Sequence, residues 1–164
     1  MIQGKGDWKK HIVGLIISIA IAEGVGILSS LFTKGSMQQY QQLTHPSLSP
    51  PGWIFPIVWS VLFLLMGIAS YRVYREGIQR TNVKNALGFY VVQLIFNFFW
   101  TIIFFSLKLR GFAFIWIIIL LTLIIITTMK FYKIDKSSAY LMIPYILWVS
   151  FASILNFSIW QLNK

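Results

Sequence analysis

The sequence contains no cysteine, few acidic residues and few charged residues of any kind. Among 164 residues there are 14 Lys and Arg, four Asp and Glu, and two His. The absence of cysteine excludes disulfides and metal centres built on thiolates. Two His and four carboxylates leave little from which to build another metal site, so we expect none. The carboxylates are also too scattered to supply a pair for acid–base catalysis.

Apolar residues dominate the composition. They make up 57% of the chain and charged residues only 11%, whereas a soluble domain carries about 25% charged residues. The formal net charge of +10 would be compatible with nucleic-acid binding. The basic residues, however, cluster in short segments between apolar runs, which indicates a membrane protein. We predict that the chain is integral to a lipid bilayer and does not bind nucleic acid.

Five apolar stretches are long enough to cross a bilayer core, which needs about 20 residues of helix. They cover residues 12–32, 53–71, 86–107, 111–129 and 139–160. Their apolar residues run continuously instead of alternating as in barrel strands. We therefore predict an all-α protein in which residues 1–164 form a single membrane domain, a bundle of five transmembrane helices. The A-x-A pattern at Ala20–Ala22 also permits a cleaved signal peptide, but the apolar run continues to Phe32, which favours a membrane helix.

The basic residues divide unequally between the two ends of the predicted bundle. One end carries Lys5, Lys9, Lys10, Arg72, Arg75, Arg80, Lys84, Lys130, Lys133 and Lys136, and the other carries Lys34, Lys108, Arg110 and Lys164. Because basic loops remain in the cytoplasm, we expect a cytoplasmic N-terminus and an external C-terminus.

The segment 33–52 is long for a connection within a compact domain, where about 4–6 residues are typical. It contains Tyr40, His45 and the run Pro46–Gly52, whose three prolines favour an extended, stiff backbone. We predict that this segment covers the mouth of the bundle as a lid. A plain connector is the alternative.

Polar and aromatic residues recur at helical spacing on three of the predicted helices. The faces are Phe55, Trp59 and Phe63 in the second, Gln93, Asn97 and Trp100 in the third, and Tyr145, Trp148, Ala152 and Leu155 in the fifth. Amides are costly in lipid, so they should face the interior of the bundle. Together the faces would line a pocket for a flat, mostly apolar molecule. The alternative is that the amides join helices and the aromatic residues are packing.

Other residues allow more than one interpretation. Glu23 is the ionisable residue deep within a stretch, so it is either functional or a neutral, buried acid. His45 could ligate a haem iron, although a surface histidine is favoured. The remaining tryptophans near the membrane boundaries, Trp8, Trp53 and Trp160, are typical of an interfacial belt.

Three longer motifs resemble one known family. They are Pro46-Ser47-x-Ser49-Pro50-Pro51-x-Trp53-x-Phe55-Pro56-x-Val58-Trp59 with Met66-Gly67 and Tyr71, then Gln93-x3-Asn97-x2-Trp100, then Pro144-Tyr145-x2-Trp148-x2-Phe151-Ala152-x2-Leu155-Asn156-x3-Trp160. The family is that of the translocator proteins, called tryptophan-rich sensory proteins in bacteria and the peripheral benzodiazepine receptor in animals.

The resemblance implies a homodimeric five-helix bundle in the bacterial cell membrane, with a pocket beneath the first loop. It implies binding of porphyrins such as protoporphyrin IX and of isoquinoline carboxamides, with no cofactor other than porphyrin as ligand or substrate. The implied ligand-binding residues are Tyr40, Pro50, Trp53, Trp59, Phe63, Asn97, Trp100, Trp148, Ala152 and Leu155. Two features differ from the family pattern: Leu155–Gln161 lacks the Tyr and Arg of the animal sterol segment, and the small-residue dimer pattern is interrupted at Val92.

Three functions remain open. The protein binds and senses porphyrin, degrades it in light, or transports tetrapyrroles or sterol-like lipids. Degradation would use Trp59 and Trp148 as electron donors to the photoexcited porphyrin, since indoles are good one-electron donors. Transport is disfavoured because the chain shows no internal repeat.

Overall fold

The structure is a computed structural model that describes residues 7–164, apart from the side chains of Asp7 and Met37. Lys5, which contributes to the charge bias above, lies outside this range. The helices are α1 (Asp7–Phe32), α2 (Ser36–Gln41), α3 (Ile54–Arg75), α4 (Thr81–Thr101), α5 (Arg110–Tyr132) and α6 (Lys136–Leu162). No strand occurs in the range described, and all helices except α2 are long and apolar enough to cross a membrane. The prediction of an all-α bundle with five membrane helices is confirmed.

The five long helices form a closed ring. Helix α1 packs on α3, α3 on α6, α6 on α5, α5 on α4, and α4 returns to α1. Helix α1 is the least enclosed, since most of its side chains point outward and Ala22 and Ser29 are its buried residues. Most residues of the polar and aromatic faces predicted from the sequence are buried in the bundle, and the amides among them have the partners that they need in lipid.

Glycines set the distance between α1 and α3. A Cβ on Gly67 would lie 2.6 Å from the Ile19 Cα, and a Cβ on Gly26 would lie 2.6 Å from the Phe63 ring. Small residues allow backbones to approach closely in membranes, where dispersion contacts supply much of the attraction between helices. The glycines of this seam are therefore packing positions and not a phosphate-binding loop.

An ion pair closes the end of the bundle opposite the first loop. Asp135 caps α6 by accepting a hydrogen bond from the Ser138 backbone N–H at 3.1 Å. The Arg72 Nε and Nη2 donate to its two carboxylate oxygens at 2.7 and 3.2 Å. The hydrogen bond from Arg72 lowers the pKa of Asp135 to about 2. This pair ties α3 to the turn between α5 and α6.

Helix α4 ends in a π-helical turn, Ile102–Ser106. The Leu107 N–H donates to the Ile102 carbonyl at 3.0 Å, a five-residue step instead of the usual four. The chain then passes through Lys108, which has a φ of 58°, before α5 begins. Because a π turn adds a residue to the helical period, it changes which side chains share a face.

The segment 33–52, here called the first loop, is not without regular structure. It contains the short helix α2, which the sequence analysis did not predict because its six mostly polar residues show no apolar periodicity. From Leu43 to Gly52 the backbone is non-helical, as its prolines dictate. The loop is hydrogen-bonded to the last turn of the bundle, since the Thr44 N–H donates to the Asn163 Oδ1 at 3.0 Å and the Asn163 Nδ2 donates to the Thr44 carbonyl at 2.9 Å.

Candidate ligand-binding site

A hydrogen-bonded network lies at the centre of the ring. The Tyr145 hydroxyl donates to the Gln93 Oε1 at 2.8 Å and accepts from the Asn97 Nδ2 at 2.8 Å. All three side chains are buried, with at most 2% of each exposed. The network joins α4 to α6, so both amides do act as interhelical links. They also place polar atoms within an interior that is otherwise apolar.

Aromatic rings from three helices surround this network. Trp59 lies 5.7 Å from Phe63, 6.3 Å from Trp100 and 6.2 Å from Tyr145, measured between ring centroids. Trp100 in turn stacks on Phe104 at 5.6 Å. We call these five residues the aromatic cluster. Trp59 is the residue through which α3 meets both α4 and α6.

Tyr40 of α2 closes the aromatic cluster from the side of the first loop. Its ring is 7% exposed and lies 6.0 Å from Phe104 and 5.4 Å from Phe105. It also contacts Phe55 edge-on at 6.2 Å. Burial raises the pKa of the Tyr40 hydroxyl to about 12, so it remains a neutral hydrogen-bond donor at physiological pH.

His45 holds Tyr40 in this position. The His45 Nε2–H donates to the Tyr40 carbonyl at 2.9 Å, and the two rings meet at 4.7 Å. Its Nδ1 is buried and has no hydrogen-bond partner among residues 7–164. The expectation of a surface histidine is therefore wrong: His45 is a half-buried part of the first loop.

Trp148 occupies a neighbouring position between α3 and α6. Its ring contacts Phe55 at 5.9 Å and Phe151 at 5.6 Å. It lines a groove of about 440 Å³ whose other walls are apolar side chains of α3 and α6, with Pro144 among them. The buried indole N–H has no hydrogen-bond partner in the range that the structure describes. Phe55, which contacts both Tyr40 and Trp148, connects this groove to the first loop.

The structure does not bring all the expected site residues together. Ala152 and Leu155 are buried on α6, and Pro50 is half-buried in the first loop. Trp53 precedes the first residue of α3 and is 67% exposed, so it lies outside the aromatic cluster in the manner of an interfacial belt residue. Glu23 is half-buried on α1, and no group of three His, Cys, Asp or Glu that could hold a metal occurs in residues 7–164.

Phe104 and Phe105 are the site residues that the sequence analysis missed. Both contact Tyr40, and Phe104 extends the stack begun by Trp100. The face of Gln93, Asn97 and Trp100 continues by helical spacing to Phe104 alone. The π turn adds Phe105 to the same surface, and periodicity carries no signal for such a turn.

Comparison with known proteins agrees with this architecture. The sequence profile of the TspO/MBR family matches residues 18–161. The tryptophan-rich protein TspO of Chlorobaculum tepidum is 37% identical over 94% of this chain and 98% of its own length. The tryptophan-rich sensory protein of Cereibacter sphaeroides is 35% identical over 76% of each chain, and the human translocator protein is 31% identical over 90% of this chain and 89% of its own. The chain is thus an integral membrane protein and belongs to the TspO/MBR family.

Proposed function

We propose that the protein is a membrane receptor for porphyrins, with protoporphyrin IX as the representative ligand, and that the first loop acts as a lid over the site. The observation that supports this most directly is the aromatic cluster, which surrounds a buried network of amide and phenol groups beneath Tyr40. Flat conjugated molecules stack on such rings, and a few polar groups fix their orientation. The same surface suits isoquinoline carboxamides, which are also flat and carry one amide.

Ligand entry requires movement of the lid. Tyr40 fills the space above Phe104 and Phe105, and His45 and Asn163 hold the loop by hydrogen bonds. These contacts are few and partly exposed, so they open at a modest cost in free energy. A ligand displaces Tyr40, stacks on Trp59 and Trp100, and accepts a hydrogen bond from the unpartnered Trp148 N–H.

Light-dependent degradation of the bound porphyrin is the second candidate function. The observation that favours it is the contact between Trp59 and the rings of Trp100 and Tyr145, which places three oxidisable side chains together. A photoexcited porphyrin takes one electron from an indole, and molecular oxygen reacts with the resulting radicals. Trp59 and Trp148 are the proposed donors.

The test follows protoporphyrin IX absorbance with purified protein in detergent, in light and in darkness. The variants are the Trp59→Phe, Trp148→Phe double substitution and, as a control, Trp8→Phe, which changes an exposed tryptophan of α1. A receptor gives a saturable spectral shift that the double variant weakens and the control retains. Bleaching that needs light, oxygen and both tryptophans adds degradation, whereas no saturable shift in the wild type would overturn the proposal and leave transport to be tested by flux into liposomes.

Assembly and orientation belong to the same proposal. We propose a homodimer in the bacterial cell membrane. We further propose that the N-terminus lies in the cytoplasm, which the excess of basic residues at that end of the bundle supports. Because the chain lacks cysteine, single cysteines at Lys34 and Lys133 report their side of the membrane through an impermeant maleimide. Labelling at Lys133 in intact cells, with none at Lys34, would contradict the orientation; cross-linking in membranes tests the dimer.

A further inference from the structure

We propose that a small basic cavity beneath the first loop binds a carboxylate of the ligand, so that the site selects acidic flat molecules over neutral ones. The cavity lies beside the aromatic cluster, and its lining includes Ser36, Gln39, Tyr40, Phe105, Lys108 and Arg110. The inference rests on the proposed function. It adds a class of ligand, flat aromatic molecules that carry a carboxylate, and names the Arg110 side chain as the group that binds that carboxylate.

Arg110 carries the strongest argument for an acidic ligand group. Its Nε is buried and has no hydrogen-bond partner among the residues that the structure describes. A buried guanidinium N–H without an acceptor is costly, and the group is matched in shape and charge by a carboxylate, which can accept two parallel hydrogen bonds. Lys108, two residues earlier, lines the same cavity and adds a second positive charge.

Among the side chains that the structure describes, none of the carboxylates forms a salt bridge with Lys108 or Arg110. Asp135 is engaged by Arg72 at the opposite end of the bundle, and Glu76 follows α3 at that same end. Glu23, on α1, forms no salt bridge with Lys108 or Arg110. The positive charges at the cavity therefore have no salt-bridge partner among the described side chains, which favours an acidic group from outside.

Asn156 and Phe104 connect the surroundings of the cavity to the aromatic cluster. The Asn156 Nδ2 donates to the Arg110 carbonyl at 2.9 Å, and its Oδ1 accepts from the Trp100 Nε1 at 3.2 Å. Phe104 stacks on Trp100 and also lines the cavity. A ring stacked on Trp100 would thus project an acidic substituent towards Arg110.

Neutral donors complete the cavity. The Tyr40 hydroxyl is protonated at physiological pH, and Ser36 and Gln39 line the same space. The cavity measures about 10 Å³, which is the room that one water needs. A carboxylate therefore enters as Tyr40 moves aside, and closing of the lid over Arg110 would couple acid recognition to ligand retention.

The experiment compares protoporphyrin IX with its dimethyl ester, which keeps the macrocycle and removes both negative charges. Each is titrated against wild type, Arg110→Gln and Arg110→Lys in detergent micelles, with Lys34→Gln as the matched control. Lys34 lies at the same end of the bundle, is exposed and does not line the cavity. Binding of the ester to Arg110→Gln shows that this variant is folded.

We expect the wild type to prefer the acid to the ester and Arg110→Gln to lose about tenfold or more in affinity for the acid alone, as for a lost hydrogen bond to a charged group. Arg110→Lys should recover part of the loss, and Lys34→Gln should bind as wild type does. Equal affinity of the wild type for acid and ester, or an equal loss of both in Arg110→Gln, would overturn the inference while leaving the receptor intact. If neither porphyrin binds to the wild type, the proposed function itself fails, and the inference fails with it.

Discussion

At the residue scale, Tyr145 is the centre of the buried hydrogen-bonded network. It is fully buried, and its hydroxyl is shared between Asn97 of α4 and Gln93 one turn earlier. Removing that hydroxyl leaves the Asn97 Nδ2 and the Gln93 Oε1 without this partner inside a membrane protein, where no bulk water replaces it, whereas the Gln93 Nε2 still donates to the Met66 sulfur. The residue therefore matters for stability as well as for the proposed site.

Tyr145→Phe should lower the free energy of unfolding by about 1–2 kcal/mol, the upper part of the range for interhelical hydrogen bonds in membranes. Thermal unfolding in detergent measures the change. Tyr140→Phe is the matched control, because Tyr140 lies on the same helix and is 58% exposed. Equal unfolding temperatures for the two variants would show that the network contributes nothing to stability.

At the scale of elements, the close packing of α1 against α3 depends on glycines, which have no side chain to separate the two helices. Gly67 meets the backbone of Ile19, which cannot move aside as a flexible side chain can. Gly24, two residues after the buried Ala22, has no atom within 4 Å of its Cβ position. Gly67 is thus a packing position between α1 and α3, whereas Gly24 is not.

Gly67→Ala should destabilise the protein by about 1–3 kcal/mol, because the added methyl overpacks the seam and forces α1 away from α3. Gly24→Ala should be close to neutral. The comparison uses unfolding temperature and the yield of folded protein after detergent extraction. Similar losses for both would mean that the effect comes from helix propensity or insertion and not from the seam.

The ion pair between α3 and the start of α6 adds a pH dependence. The pKa of Asp135 is lowered to about 2 in the folded protein from an ordinary value of 3.8. Its contribution to stability is therefore complete above about pH 4 and is lost as the pH falls through 2. The contribution is small because the Arg72 side chain is 43% exposed.

Asp135→Asn tests this dependence without removing the helix cap, since Asn is also a good cap. The variant should unfold at a lower temperature than wild type above pH 4, and the difference should vanish near pH 2. Glu76→Gln serves as a control for a carboxylate outside the ion pair. A difference between Asp135→Asn and wild type that stays constant down to pH 2 would contradict the assignment.

At the scale of the whole molecule, the first loop is tied to the far end of the chain. Thr44 and Asn163 exchange two hydrogen bonds across 119 positions of sequence. Asn163 follows the last helix, so the C-terminal end of the bundle helps to hold the lid closed. Opening of the lid should therefore depend on a residue outside the aromatic cluster.

Asn163→Ala should increase opening of the first loop about thirtyfold, since it removes two hydrogen bonds that contribute about 1 kcal/mol each. Hydrogen exchange of the backbone amides in residues 40–49 measures opening directly. Asn82→Ala is the control, because Asn82 is an exposed residue at the start of α4, near the opposite end. Unchanged exchange in Asn163→Ala would show that Tyr40 and His45 hold the loop without this tie.

The sequence by itself determined the number of membrane helices and much of the interior. Bilayer thickness requires about 20 apolar residues for each crossing, so composition along the chain is sufficient to find the five helices. Helical spacing placed Gln93, Asn97 and Trp100 on one face, and all three are buried. Amides in lipid must find partners, and this physical requirement can be read without a structure.

The tertiary structure decided how the helix faces are oriented against one another and which distant segments meet, neither of which the periodicity of the sequence indicates. Spacing within one helix fixes which residues share a face, but not how that face is rotated against its neighbours, so the separate groove of Trp148 could not be predicted. The π turn places Phe105 against Tyr40 by breaking the helical period. The first loop, the π turn and Arg110 line one cavity only in the folded chain, so the burial of the unpartnered Arg110 Nε is a property of contacts between distant segments and not of any one segment.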